Sequence, residues 1–210
     1  MDVGRTALQA AAESGNDGVV KMLLEAGAEV NAPASWCGGR TALQAAAESG
    51  NDEVVRILLQ VGAEVNAPAS EEYGRSALQA AAERGRCETV ELLIRAGADV
   101  NQKPGYNAGA TALQLAAMGG YVGIAALLIE AGADVNAAAP PENGRTALEA
   151  AAEHGRISMV EMLLAAGVET TGAGRAQYLR AIEFANKGSH RVVANLLQAH
   201  GNTGGGGMDR

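Results

Sequence analysis

The sequence predicts an all-α repeat solenoid, built of stacked helix–turn–helix units joined by extended hairpin or loop fingers. Three observations carry this. The phrase "GRTALQAAAESG" fills residues 4–15 and returns letter for letter at 39–50. Weaker copies start at Gly74, Gly109 and Gly144, so the step is 35 residues each time. A fixed step of this size marks a solenoid or propeller. Each copy is followed by a second apolar-periodic phrase ending in Gly, and then by a stretch without helical signal.

Residues 39–73 show how one unit is written. In "TALQAAAESG", Thr41 stands where an N-cap belongs and Gly50 suits a left-handed turn at the far end, so a short Ala-rich helix lies between them. The Ala run lets neighbouring backbones come close. In "NDEVVRILLQVG", Val54, Val55, Ile57, Leu58 and Leu59 form a wider apolar face. Asn51 or Asp52 caps this second helix and Gly62 ends it. "AEVNAPASEEYG" alternates, contains Pro68 and reads as the finger. A pair of such short helices cannot bury its apolar faces alone, so each unit needs neighbours. Thin layers in close contact favour Ala, Val and Leu, and the aromatic content is only 3%.

Composition excludes several functions. Over 210 residues the net charge is -8, with a pI near 4.9, which opposes binding to nucleic acid or an anionic membrane surface. No apolar run is long enough to span a bilayer, and "MDVGRTALQ" has no signal-peptide pattern. Cys37 and Cys87 form neither a metal spacing nor a disulfide framework, so a cytosolic or nuclear setting is expected. His154, His190 and His200 match no ligand spacing. No nucleophile–base set, phosphate loop or dinucleotide motif is present, and neither enzymatic activity nor a cofactor is expected.

The phrases "TALQAAA" and "VVRILLQVGAEVN" resemble the ankyrin repeat across about residues 4–201. Ala7, Ala42, Ala77, Ala112 and Ala147 replace the usual Pro of that family. Gln9, Gln44, Gln79, Gln114 and Glu149 replace the usual His. Gln can still bond backbone across the turn, so the fold is expected to survive. The wording resembles ankyrin arrays of large fungal proteins, NACHT-type receptors among them. The near-identity of the first two units fits either recent duplication or consensus design. The units are 4–38, 39–73, 74–108, 109–143 and 144–174, followed by a degenerate cap over 175–201 and a disordered Gly-rich tail over 202–210. The cap keeps the Gly188 turn, and its Arg191, Asn195 and Gln198 suit a solvent-facing end. No such cap precedes residue 4, as expected of a piece of a longer array. Each finger is two residues longer than usual for the family, and Asn31, Asn66, Asn101 and Asn136 are expected to bond backbone at its base.

The resemblance implies a protein-interaction module whose variable, outward positions lie in two zones lining a concave groove. Six units about 8–10 Å apart give that groove roughly 40–50 Å. One zone is the finger tips, where Trp36, Tyr73 and Tyr106 either anchor a partner or pack on each other. The other is the pair of positions after the Ala run: Glu48 and Ser49, Glu83 and Arg84, Met118 and Gly119, Glu153 and His154, with Glu13 and Ser14 before them. The Glu residues read either as an acidic stripe for a basic peptide or as a solvated face neutralised by Arg5, Arg40, Arg75 and Arg145. Unit four departs from both patterns, with Ala110 for Arg and Met118 for Glu. A protein or peptide partner and a monomer are expected. The alternative is a structural scaffold without a dedicated ligand, stacking head to tail.

Overall fold

The computed structural model describes residues 4–34, 39–70, 74–103, 109–139 and 144–204. The tip aromatics Trp36, Tyr73 and Tyr106, together with Cys37, lie outside these residues. Helices come in pairs: α1 (Ala7–Ser14) with α2 (Asp17–Glu25), α3 (Ala42–Ser49) with α4 (Asp52–Gln60), and α5 (Ala77–Glu83) with α6 (Cys87–Arg95). Then come α7 (Ala112–Gly119) with α8 (Val122–Glu130), α9 (Ala147–Glu153) with α10 (Ile157–Ala165), and α11 (Arg175–Lys187) with α12 (Arg191–Gly204). The first helices pack in one row from α1 to α11, and the second helices in a parallel row from α2 to α12. The architecture is the expected helical repeat. Among the described residues the fingers contain no strand, so they are loops rather than hairpins.

Each of the five first helices from α1 to α9 starts with a capping box. In α3 the Thr41 hydroxyl accepts from Gln44 N, and Gln44 Oε1 accepts from Thr41 N at 2.9 Å. The rest of the turn is Ala because space is short. Ala12, Ala46, Ala81, Ala116 and Ala151 are wholly buried between neighbouring units. The second helices supply the branched side chains, among them Val55, Leu58, Val90, Leu93 and Leu128, which complete one continuous core.

Two polar side chains per unit tie the fingers down. Gln44 Nε2 donates to the Ala67 and Pro68 carbonyls at 3.2 and 3.1 Å, and Gln9 and Gln114 do the same at their own fingers. The finger-base Asn reaches the following unit rather than its own. Asn66 Nδ2 donates to Gly97 O at 3.0 Å, and its Oδ1 accepts from Asp99 N at 2.8 Å. Asn31 and Asn101 repeat the clamp.

The second helices are capped differently from the expectation. Asn51 sits at the N-cap of α4 without capping it. Its amide is drawn back to the Ala12 and Glu13 carbonyls of the preceding unit. Asn16 does cap its helix α2, with Oδ1 accepting from Val19 N at 3.0 Å.

The last pair departs most from the repeat. The left-handed turn residue is Ser189 (φ 61), while Gly188 is not left-handed. Fifth-unit Glu149 has no finger carbonyl to serve, and a carboxylate has no N–H to offer one. It is buried at 1% exposure, accepts from Thr146 N at 3.0 Å, and takes its second donor from Arg180 Nε of α11 at 2.6 Å. Tyr178 is buried, donates its hydroxyl to Leu197 O, and burial holds its phenol above the usual value. Its ring lies against Gly201, where an added Cβ would come within 3.3 Å. The absence of a side chain there lets α12 pass over the ring and run on to Gly204, beyond the boundary expected at 201. No described helix is long and apolar enough to cross a membrane.

Two substitutions test this packing. Ala81→Leu places three extra carbons in a fully filled layer and should cost about 1–3 kcal/mol in urea unfolding. An unchanged midpoint would show that the Ala run is not interfacial. Arg180→Ala strips a buried carboxylate of its charged donor and should cost about 1–3 kcal/mol. Adding Glu149→Gln should recover most of that loss. A double variant as unstable as Arg180→Ala would show that Arg180 acts by packing alone.

Candidate functional site

Among the surface positions that differ between units, two sets lie along the turn edge and along the face beside the ends of the first helices. On the face, the acidic stripe does not stand bare. In four of the five repeat units a step of eight residues sets an Arg before the first helix against the Glu near its end: Arg5 pairs with Glu13, Arg40 with Glu48, Arg75 with Glu83 and Arg145 with Glu153. Arg75 makes two bonds of 3.3 Å and Arg145 bonds of 2.8 and 3.1 Å. Arg145 also lies 4.1 Å from the centre of the Phe184 ring. Glu48 takes a second cation, Arg84 of the next unit, at 2.7 Å, and this raises the Arg84 pKa. The pairs are partly exposed and contribute little to stability. They do cancel the stripe's charge.

Unit four interrupts this row. Ala110 and Met118 replace the pair, and Met118 is 39% exposed. Tyr121 explains why Gly119 accompanies them. A Cβ at Gly119 would fall 2.3 Å from Tyr121 Cε2, and one at Gly85 would fall 2.7 Å from Cε1. The ring therefore spans two glycines of adjacent units while remaining 38% exposed.

The same lean recurs along the whole turn edge. The residue after each turn lies across the turn glycine of the preceding unit: Asn51 on Gly15, Arg86 on Gly50, Tyr121 on Gly85, Arg156 on Gly120 and His190 on Gly155. Those glycines are left-handed, with φ between 66 and 77, so both backbone conformation and space exclude a side chain. Each turn thus presents one variable residue on either side of a fixed glycine. They read Ser14 and Asn16, Ser49 and Asn51, Arg84 and Arg86, Gly119 and Tyr121, His154 and Arg156.

Of the residues singled out in the sequence, the structure joins Arg40, Glu48 and Arg84 in one network. It pairs Arg75 with Glu83, and Arg145 with Glu153. Exposed His154 has Nδ1 3.0 Å from Ala150 O. Sequence reasoning missed Tyr121, Arg86 and Arg156. A column of the residues following each turn glycine, read across the units, would have found them. Cys87 is exposed and unpaired, and among the described residues no group of His, Cys, Asp and Glu is arranged to hold a metal ion.

This geometry is that of a helical repeat array whose scaffold is invariant and whose turn edge varies. A family model described as ankyrin repeats (3 copies) matches residues 33–104 and again 103–172, and a single ankyrin repeat matches residues 3–35. The chain belongs to the ankyrin-repeat family, whose members are generally protein–protein interaction modules. No curated protein matches it as a relative.

The fit of Tyr121 is directly testable. Gly119→Ser installs a residue that two other units carry at this position. Its Cβ must displace the ring, so Tyr121 should become more accessible to nitration with a loss of about 0.5–1.5 kcal/mol, the range for a strained rotamer. Unchanged nitration would show that the ring is not seated on Gly119.

Proposed function

We propose that the chain is a non-enzymatic binding array, acting inside the cell, that holds a protein or peptide partner along the face and turn edge just described. The finger tips carrying Trp36, Tyr73 and Tyr106 are included in this reading on the strength of their sequence. One observation carries it: a ladder of Arg–Glu pairs regular enough to be structural is broken at a single unit, and the break exposes Met118 and Tyr121. Exposed apolar and aromatic side chains ringed by charge are the composition of interface centres.

The test is affinity capture from a cell extract, followed by purification of the captured protein and titration against variants. Met118→Ser with Tyr121→Ser should weaken binding by about 2 kcal/mol or more, with little change in melting. Val61→Ser on the outer surface should do neither. Binding that survives the double variant and falls with Val61→Ser would overturn the reading.

A second reading has its own observation. Val19 is 40% and Met22 69% exposed, whereas Val54, Thr89, Ile124 and Met159, which occupy the position of Val19 in later units, are at most 2% exposed. The α1–α2 face would accept another copy. The opposite end fits it poorly. Counting back from the turn, Asn186 and Glu183 are exposed where the preceding unit has buried Ala152 and Glu149. A molar mass that rises with concentration in light scattering would favour stacking over partner binding.

A further inference from the structure

The turn edge of units three to five differs from the rest of the molecule in charge as well as in apolar exposure. The chain carries a net charge of -8, yet this edge presents Arg86 and Arg156, beside His154 and the Glu48-bound Arg84. Among the described residues no carboxylate pairs with Arg86 or Arg156. The nearby carboxylates of the Arg–Glu row are all occupied: Glu48 by Arg40 and Arg84, Glu83 by Arg75, Glu153 by Arg145. The second helices agree. Asp17 stands in the first turn of α2, Asp52 and Glu53 in that of α4, and Glu88 in that of α6, but the first turns of α8 and α10 have no acidic residue. No acidic side chain in the first turn therefore offsets the positive N-terminal ends of these two helices. Along this edge lie three of the exposed large apolar side chains, Met118, Tyr121 and Ile157, each 38–39% exposed.

Resting on the binding reading above, we propose that this edge binds an acidic peptide segment that seats one apolar side chain against Met118, Tyr121 and Ile157. The carboxylates on either side meet Arg86 toward unit three and Arg156 toward unit five. Charge complementarity selects the occupant. A basic segment would meet guanidinium groups that hold no carboxylate, Arg86 reaching only the Glu48 backbone carbonyl at 3.5 Å, and every carboxylate of the row already holds a cation. A peptide also suits the shape, because the edge is an open line of turns rather than an enclosed cavity. Taken as a whole, the chain's net charge of -8 repels acidic segments, so the attraction must come from the edge's own cations.

The probe is a short fluorescein-labelled peptide of Glu and Ser with one central Phe, followed by fluorescence anisotropy against the full chain. Two further peptides are compared, one with Lys for Glu and one with Ala for Phe. The proposal expects the Glu–Phe peptide to bind and to weaken as salt rises. It expects a loss of about tenfold or more in Arg86→Gln with Arg156→Gln, the size of effect that close interfacial charges carry. The Ala peptide and Tyr121→Ala should weaken binding comparably, with the fold of each variant checked by its melting midpoint. Failure of the Glu–Phe peptide to bind overturns the proposal, as does equal binding by the Arg variants. Preferential binding of the Lys peptide, lost in Tyr121→Ala, overturns the acidic chemistry and leaves the edge as the site. Displacement of the Glu–Phe peptide by single-stranded oligouridylate at stoichiometric amounts also overturns it, assigning the cations to phosphate. If no peptide binds and a captured partner ignores Met118→Ser with Tyr121→Ser, both the inference and the reading beneath it fall.

Discussion

One buried amide per unit holds the architecture together. Gln44 stands at the third position of its helix with 1% exposure, and both the oxygen and the nitrogen of its amide are hydrogen-bonded. Its oxygen closes the capping box and its nitrogen gathers two finger carbonyls 23 and 24 residues further on. The same side chain therefore sets where the helix starts and where the finger leaves the stack. Buried backbone carbonyls without partners are costly, so this position tolerates little beyond an amide or another donor. Unit five shows the constraint by its exception. Without a finger to serve, Glu149 replaces the amide, and the next helix supplies Arg180 to satisfy it.

Much of the scaffold was legible because it rests on local rules written five times. Thr41, Gly50 and Gly62 announced the helix boundaries, and the Ala run announced close layers. What was not legible depends on the neighbouring unit. Asn51 looks like a cap in its own unit, yet the carbonyls of Ala12 and Glu13 compete for its amide. Ser189 adopts a left-handed turn that sequence assigns to the adjacent Gly188. The charge of the Glu stripe was equally hidden. An interval of eight residues puts Arg beside Glu only once the helix is flanked by a loop that folds back along it. The site was half legible: the break at Met118 was visible as a departure from the repeat. Tyr121 was not, since its partners Gly85 and Gly119 lie in two different units.

Repetition also explains why the turn edge tolerates variation. An internal unit is covered on both sides, so most substitutions disturb two interfaces at once. Beside the left-handed turn glycine this pressure relaxes. The residue after it lies across the glycine of the unit before it, and that position holds Asn, Arg, Tyr or His in different units. Substitutions there still come in sets. Tyr121 needs Gly119 beneath it, and the loss of Glu at position 118 accompanies the loss of Arg at 110, where Ala is 9% exposed. The Arg side chains of the other units are 20–59% exposed at this position, so a lone Arg there would leave an unpartnered charge beside the apolar surface of Met118. The unit four changes thus form one coordinated departure, in which an ion pair is exchanged for apolar surface at the centre of the array.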